Sequence, residues 1–459
     1  MTTIDQFLQD FNNFVWGPPL LLLLLGGGLF FALYSRFTPY RHFGHALAIV
    51  RGKFDDPNAA GELTHAQALS AALAGTIGLG NIAGVALAIT AGGPGAVFWM
   101  WMTALLGVAT KFFTCTLGVM YRGRDSLGRL QGGPMYIVRE GLGKRFYPLA
   151  VLFAVAGLFG VLPVFQANQL VEALRQEFFD DAASLAAWQF NLVAGIALAA
   201  VVAGVIFGGL PRLAKVAVRV VPGIAVLYLL MTVWVLARHA GEVPAMLGNI
   251  VTEAFSGSAV GGGLLGVMVI GISRGAFSNE AGIGTEVMAH GAAKTDEPVR
   301  EGLVAMLGPV VDTLLICTCT ALVILITGVW QEAAGLQGVT LTINAYRQEM
   351  GLPGVFLLGL LILSLGLTTM FTYWYYGAKC LGFLIGAEYQ HYYKYFHVLM
   401  VVVGSGASVG AASNLLSGMY ALMAIPTMTA SLLLAPRVMA ASRDYFARCG
   451  AWRAESTDT

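Results

Sequence analysis

The chain has 459 residues, of which 57% are hydrophobic and only 11% are charged, and its mean hydropathy is +0.73. A water-soluble protein of this composition would lack the polar surface that keeps it dissolved, whereas a lipid bilayer can solvate it. The net charge of +1 gives no indication of a nucleic-acid partner. The five cysteines show no spacing typical of secreted disulfide proteins, so we expect free thiols.

Apolar runs that could cross a bilayer recur along the whole chain. A helical span needs about 20 mostly apolar residues, so a chain of this length has room for about a dozen. The first run has neither a basic start nor a small-residue cleavage site, and we expect it to be retained. The runs predict an all-α membrane protein, one domain over 1–459 with a tail at 436–459. Its eleven transmembrane helices lie at 15–35, 66–90, 94–121, 146–174, 188–208, 217–237, 262–290, 303–328, 352–380, 393–411 and 413–435.

An odd number of spans puts the two termini on opposite sides of the membrane. With the N-terminus outside, 21 of the 26 lysines and arginines fall on the inner side, and only Arg175, Arg238 and Arg347 fall outside. Basic residues concentrate in cytoplasmic loops. We therefore expect a multi-pass protein of the cytoplasmic (inner) membrane whose C-terminus is cytoplasmic.

Two glycine-dense stretches interrupt the second and seventh predicted spans. They read GTIGLGNIAG at 75–84 and SRGAFSNEAGIG at 273–284, and NIAG in the first corresponds to NEAG in the second. Each glycine costs a helix about 0.8–1 kcal/mol relative to alanine, so both helices are predicted to break mid-membrane. Five spans separate the two starts, an odd offset that inverts the second copy. The sequence therefore predicts a five-plus-five inverted repeat over 66–237 and 262–435.

A broken helix exposes backbone groups that hydrocarbon cannot solvate, so these groups must bind something. Free N–H groups suit a carboxylate and free carbonyls suit a sodium ion; a small zwitterion such as an amino acid together with sodium meets both needs. The alternative is that the glycines only allow close helix packing. Packing alone would leave Asn81, Ser278, Asn279 and Glu280 as buried polar groups without a purpose.

Four strings carry a resemblance to a known family: GTIGLGNIAG, AGGPGAVFWMWMTALLG at 91–107, QGGPMY at 131–136 and SRGAFSNEAGIGTE at 273–286. They resemble the alanine or glycine:cation symporter family, and the match covers nearly the whole chain. The resemblance implies a leucine-transporter-type fold with one extra N-terminal helix, here 15–35. It also implies uptake of alanine or glycine coupled to Na+, or in some members to protons, without an organic cofactor. We expect the protein to function as a monomer.

The resemblance assigns substrate contacts to both interrupted stretches. The first is expected to offer Gly75, Thr76, Gly78 and Asn81, and the second Phe277, Ser278 and Asn279. For Asn81 a purely local role, as a helix cap satisfied within the protein, stays open. In the fourth span Gln166 is the expected ligand of the substrate, with Phe165 as a wall; an amide bond to a neighbouring helix is the alternative.

One face of the ninth span alternates tiny and bulky residues, which suggests a cavity. Met370 and Trp374 on this face are expected to cap the substrate side chain, and Thr368 and Thr369 to offer hydroxyl oxygens to sodium. The alternatives are an aromatic packing stripe, which we prefer for Tyr375 and Tyr376, and threonines that bond back to their own helix. The remaining members of the face are Gly366, Tyr373 and Gly377.

Ionisable residues inside spans need partners, because each costs about 2.5–3.5 kcal/mol to insert. Arg274 and Glu280 are expected to pair with each other or with Asp312; for Lys111 a carboxylate on an adjacent span stays open as the partner, and Glu286 is left without a role. The histidines fall in loops or at span ends, and no metal, hydrolase or nucleotide-binding pattern occurs, so we expect a transporter without enzymatic activity. A passive channel and a membrane sensor or enzyme are the other readings.

Overall fold

The computed structural model describes residues 3–178, 187–256, 263–332 and 338–457. Within them the regular secondary structure is helical apart from a short antiparallel hairpin, in which Gly123–Arg124 pairs with Leu130–Gln131, and an isolated bridge between Leu63 and Ala293. The all-α class predicted from the apolar runs is confirmed.

The helices before residue 179 lie in chain order as follows: α1 (Thr3–Val15), α2 (Pro18–Leu21), α3 (Gly27–Tyr34), α4 (Thr38–Arg41), α5 (Phe43–Val50), α6 (His65–Thr76), α7 (Val85–Gly92), α8 (Gly95–Met120), α9 (Pro134–Tyr136), α10 (Tyr147–Gly160) and α11 (Val164–Phe178). The later helices are α12 (Ala187–Ile206), α13 (Gly209–Arg238), α14 (Val243–Glu253), α15 (Gly263–Asn279), α16 (Thr285–His290), α17 (Pro298–Ala305), α18 (Leu307–Pro309), α19 (Thr318–Thr327), α20 (Val329–Glu332), α21 (Val339–Ile385), α22 (Tyr393–Ser405) and α23 (Val409–Thr457). Turns of π-helix occupy Leu22–Gly26, Gly80–Gly84, Ile137–Leu142 and Val310–Cys317, and 3-10 turns occupy Lys144–Phe146 and Gln390–Tyr392.

Seven helices in the described ranges are long and apolar enough to cross a bilayer, and two bent helix pairs each qualify as a further span. The helices at the seventh and tenth predicted spans, α15 with 17 residues and α22 with 13, are shorter than a full crossing. The number eleven and the inverted repeat therefore stay predictions. α23 runs without interruption past residue 435, so most of the predicted tail is helix rather than loop.

The first predicted interruption is present between α6 and α7. α6 begins with a capping box of Thr64 and Gln67 and ends at Thr76, and Ile77 then takes an extended conformation with ψ 90°. A π-helical turn restarts the helix at Gly80, and the two halves are bent by 49°. Residues 77–79 are called the first break.

The second predicted interruption is present between α15 and α16. Glu280 has a left-handed backbone with φ +56°, and Gly282 and Gly284 follow with φ +84° and +98°. Only glycine adopts such angles readily, so the glycines end one helix and allow the next to begin in a new direction. Residues 280–284 are called the second break.

Candidate functional site

One buried carboxylate joins the two broken helices. Asp312, on the π-helical segment Val310–Cys317, is fully buried. Its Oδ1 accepts a hydrogen bond of 2.7 Å from Asn81 Nδ2, and its Oδ2 accepts bonds of 2.8 Å from Ser278 Oγ and 2.7 Å from Thr313 Oγ1. Cys317 Sγ lies 3.2 Å from Ser278 Oγ. These five residues are called the Asp312 cluster.

The sequence analysis treated Asp312 as an ionisable residue that is expensive to insert and as a possible partner of Arg274 or Glu280, and it did not single out Thr313 or Cys317. The signal that could have found them is the DTLLIC string, in which a carboxylate adjoins a hydroxyl within an apolar run. An intramembrane carboxylate is a functional-site candidate because its burial is expensive.

Asn81 is engaged within the protein, as a helix cap would be. Its Oδ1 accepts a bond of 2.9 Å from the Gly78 amide across the first break, while its Nδ2 also donates to the Asp312 carbonyl at 3.0 Å. The Asn81 carbonyl in turn accepts 2.7 Å from Thr320 Oγ1. Asn81 therefore fixes the shape of the break, and a direct contact with substrate stays a prediction.

Asn279 performs a similar task at the second break. Its Oδ1 accepts a bond of 3.0 Å from the Ala281 amide, and its Nδ2 donates 3.2 Å to Thr313 Oγ1. Since Thr313 also bonds Asp312, the two asparagines are connected through the Asp312 cluster. The structure thus brings together Asn81, Ser278 and Asn279, which the sequence placed in one site.

The two threonines of the predicted ion site behave differently. Thr368 Oγ1 donates to the carbonyls of Ser364 and Leu365 in its own helix, at 3.0 and 3.1 Å, which is the back-bonded alternative. Thr369 Oγ1 instead reaches across to the Ala74 carbonyl of α6 at 3.2 Å. An added Cβ at Gly78 would lie 2.4 Å from Thr369 Oγ1, so glycine is required for this close approach.

Several buried polar atoms near the first break have no partner among the described residues. They include Thr76 Oγ1, Gln166 Oε1 and the Tyr376 hydroxyl oxygen. The Tyr376 hydroxyl lies beside Gly75, because a Cβ added to that glycine would be 3.5 Å from it. Buried polar groups are nearly always hydrogen-bonded, so unpaired ones near a broken helix indicate a place for a ligand. The packing role that the sequence analysis prefers for Tyr376 stays a prediction.

Aromatic rings line the same region. Phe165 and Phe277 pack edge to face with centroids 5.4 Å apart, and Phe277 also packs against Tyr420 at 5.5 Å. A Cβ at Gly80 would lie 3.4 Å from the Phe277 ring. The predicted wall residues therefore lie beside the first break.

The alternating face of the ninth span does not enclose a cavity at its glycines. Leu170 fills the space beside Gly366, and the Tyr393 ring fills the space beside Gly377, where an added Cβ would overlap it. The small residues here make room for large neighbouring side chains, so the expectation of a cavity was wrong at these two glycines. Met370 is fully buried.

Trp374 lies one helical turn beyond Met370 and lines a cavity of about 390 Å³, which we call the vestibule. The vestibule lies beside the loop before α6 and the turn after α16. Its acidic and basic lining residues are Glu62, Arg129, Lys379, His391 and Lys394. Trp374 is thus placed at the end of the bundle that carries these loops, and a contact with substrate beside Met370 stays a prediction.

The expected ion pair between Arg274 and Glu280 is not formed. Glu280 Oε1 accepts hydrogen bonds from the Tyr420 and Tyr373 hydroxyls at 2.8 and 3.1 Å, and its Oε2 accepts one from Thr285. Arg274 Nη1 donates 2.7 Å to Ser413 Oγ. Hydroxyls satisfy the carboxylate at the second break, and the arginine is used elsewhere.

A second buried cluster connects the ends of α6 and α16 that lie away from the breaks. Glu301 of α17 is fully buried; its Oε1 lies 2.6 Å from His290 Nδ1, and its Oε2 bonds His65 Nδ1. His65 is the first residue of α6 and His290 the last of α16. The sequence analysis placed these histidines at span ends but missed that one carboxylate holds both.

Comparison with known proteins agrees with this architecture. The model of the sodium:alanine symporter family matches residues 1–458. The sodium/alanine symporter AgcS of Methanococcus maripaludis is 38% identical over 96% of this chain and 97% of its own. The probable sodium/glutamine symporter GlnT of Bacillus subtilis is 33% identical over 96% of this chain and 91% of its own.

Among solved structures, MhsT in complex with L-phenylalanine is similar to this chain. The TM-score is 0.52, and the match covers 83% of this chain and 98% of MhsT at 14% identity. At that identity the similarity establishes the fold, which is that of leucine-transporter-type proteins.

Proposed function

Because the chain belongs to the sodium:alanine symporter family, we propose that it carries a small neutral amino acid, alanine or glycine, together with Na+ into the cell by alternating access. In this proposal the protein lies in the inner membrane with its C-terminus in the cytoplasm and works as a monomer.

The observation that carries the proposal is that both broken helices bond the same carboxylate. A cation bound at Asp312 would neutralise the one charge that holds Asn81 and Ser278 together. Carboxylate, hydroxyl and amide oxygens are the ligands that hard cations prefer. Ion binding would thereby stabilise one arrangement of the two breaks, and this is how a gradient can be coupled to a change of shape.

Thr369 and the first break offer a second set of oxygens. The last carbonyls of α6 carry partial negative charge because the helix ends there, and the Thr369 hydroxyl already lies 3.2 Å from the Ala74 carbonyl. We assign this position to sodium as well. Thr368, whose hydroxyl is satisfied in its own helix, has the weaker claim.

The amino acid would occupy the space beside the first break. The partial positive charge at the start of the helix that resumes at Gly80 suits its carboxylate, while the unpartnered oxygens of Thr76 and Gln166 suit its ammonium. Phe165, Phe277 and Met370 would limit the side chain to a small group.

Reconstitution of the purified chain tests the proposal. In proteoliposomes with an inward sodium gradient, labelled alanine is expected to accumulate above its outside concentration. Collapse of the gradient should abolish accumulation. Equilibration without accumulation would support a channel, and no uptake would contradict transport of this solute.

Proton coupling is the alternative with a specific observation behind it. Glu286 is fully buried, its Oε2 has no partner among the described residues, and Lys111 lies close enough to interact with it electrostatically. A relay of this kind is typical of proton-driven carriers. Uptake driven by a pH gradient in choline buffer, without sodium, would favour this reading.

A further inference from the structure

The vestibule is lined by a lysine ammonium, that of Lys394, which no described carboxylate pairs with. Trp374 is 6% exposed, and its indole Nε1 has no partner among the described residues. The Lys394 ammonium lies 5.5 Å from the centre of the Trp374 ring and 5.5 Å from that of Phe207, and no described carboxylate pairs with it. The indole N–H is buried away from the cavity, so the lysine ammonium is the group that an anion in the vestibule would meet.

Two other basic residues of the vestibule already have partners within the protein. Lys379 Nζ donates 2.9 Å to the Met288 carbonyl, and Arg129 pairs with Asp125 at 3.0 Å. Gly209, the first residue of the 30-residue helix α13, also lines the cavity. A helix N-terminus adds partial positive charge, so this wall attracts anions.

The loop before α6 supplies the opposite charge. Glu62 is exposed, lines the vestibule and interacts electrostatically with Lys379. The cavity therefore offers charges of both signs, as a ligand with a carboxylate and an ammonium requires. A volume of about 390 Å³ is within the range of small-molecule sites.

We infer that the vestibule is a second binding site for the transported amino acid, occupied on its way to or from the cytoplasm. Lys394 holds the carboxylate, and Glu62 receives the ammonium. The inference rests on the proposed function, because it needs the solute to pass the first break, and Trp374 is one helical turn from Met370. An inorganic anion would use the lysine but gain nothing from Glu62.

The test compares the two faces of the membrane. Exchange of labelled for unlabelled alanine is measured at equal sodium on both sides, in everted vesicles with the cytoplasmic face outward and in right-side-out vesicles. Lys394→Gln is expected to raise the half-saturating alanine concentration at the cytoplasmic face about three- to tenfold, since one bond to a half-buried lysine that solvent screens is lost. The value at the outer face should not change.

Two control variants separate the site from general effects. Lys394→Arg keeps the charge and should resemble the parent, while Lys144→Gln removes an exposed lysine that does not line the vestibule and should also resemble it. Glu62→Gln should raise the same cytoplasmic value as Lys394→Gln.

The outcomes distinguish this inference from the proposed function. No sodium-dependent exchange by the parent protein in either preparation would refute the proposed function and with it the inference. Normal exchange with an unchanged cytoplasmic value in Lys394→Gln would overturn the inference alone. Equal shifts at both faces would also overturn it. So would a result in which inorganic phosphate, added to the parent protein, raises the cytoplasmic value as Lys394→Gln does, while Glu62→Gln leaves that value unchanged.

Discussion

Replacing Asp312 by asparagine would test the link between the two broken helices most directly. The change keeps the shape of the side chain and one acceptor oxygen for Asn81, and the hydroxyls of Ser278 and Thr313 can rotate to accept from the new amide. We therefore expect the variant to fold. What it loses is the charge that attracts the ion.

A charge-assisted interaction lost at a fully buried ligand is worth about 2–3 kcal/mol, which corresponds to a 30- to 150-fold weaker sodium affinity. The assay is uptake of labelled alanine against sodium concentration, with ionic strength held constant by choline. Alanine half-saturation at saturating sodium should change much less.

Thr327→Val is a suitable control for this experiment. Thr327 is buried in the same predicted span, and its hydroxyl bonds only carbonyls of its own helix, at 2.8 and 3.2 Å. A sodium half-saturation in Asp312→Asn within about threefold of that control would refute the assigned role, since 30-fold is the smallest effect expected.

Four further predictions concern other sites. Thr369→Val should weaken sodium dependence more than Thr368→Val, and equal dose–response curves would contradict a cross-helix ion role. Met370→Ala should admit longer side chains in competition assays; unchanged selectivity would place the wall elsewhere. Glu301→Ala should reduce stability by about 2–5 kcal/mol, because two buried histidines lose their acceptor. A melting temperature equal to the parent's in detergent would argue against it. His239, in the turn after α13, is bonded by two glutamates that raise its pKa above 6.5. Its contribution is complete below the unfolded pKa and lost as pH rises through the folded one, so His239→Gln should lower the melting temperature at about pH 5.5 but not at about pH 8.5. A pH-independent loss would point to packing instead.

The interruption of two helices could be predicted from the sequence because its cause is local. Glycine lowers helix stability wherever it stands, and Gly282 and Gly284 adopt angles that other residues avoid. The apolar composition likewise determines that the chain needs a bilayer. The family strings then placed Asn81, Ser278 and Asn279 in one region, and the structure brings them together.

Partners far apart in the chain were decided only by the tertiary structure. Asp312 is 231 residues from Asn81, and Glu301 is 236 from His65, so no spacing rule connects them. The predicted pair of Arg274 and Glu280 does not form, because packing brings Tyr420 from a distant part of the chain to the Glu280 carboxylate and directs Arg274 to Ser413. In a low-dielectric interior a nearby hydroxyl can satisfy a carboxylate. The sequence determines which polar groups need hydrogen-bond partners inside the membrane, and the tertiary packing determines which residues supply them.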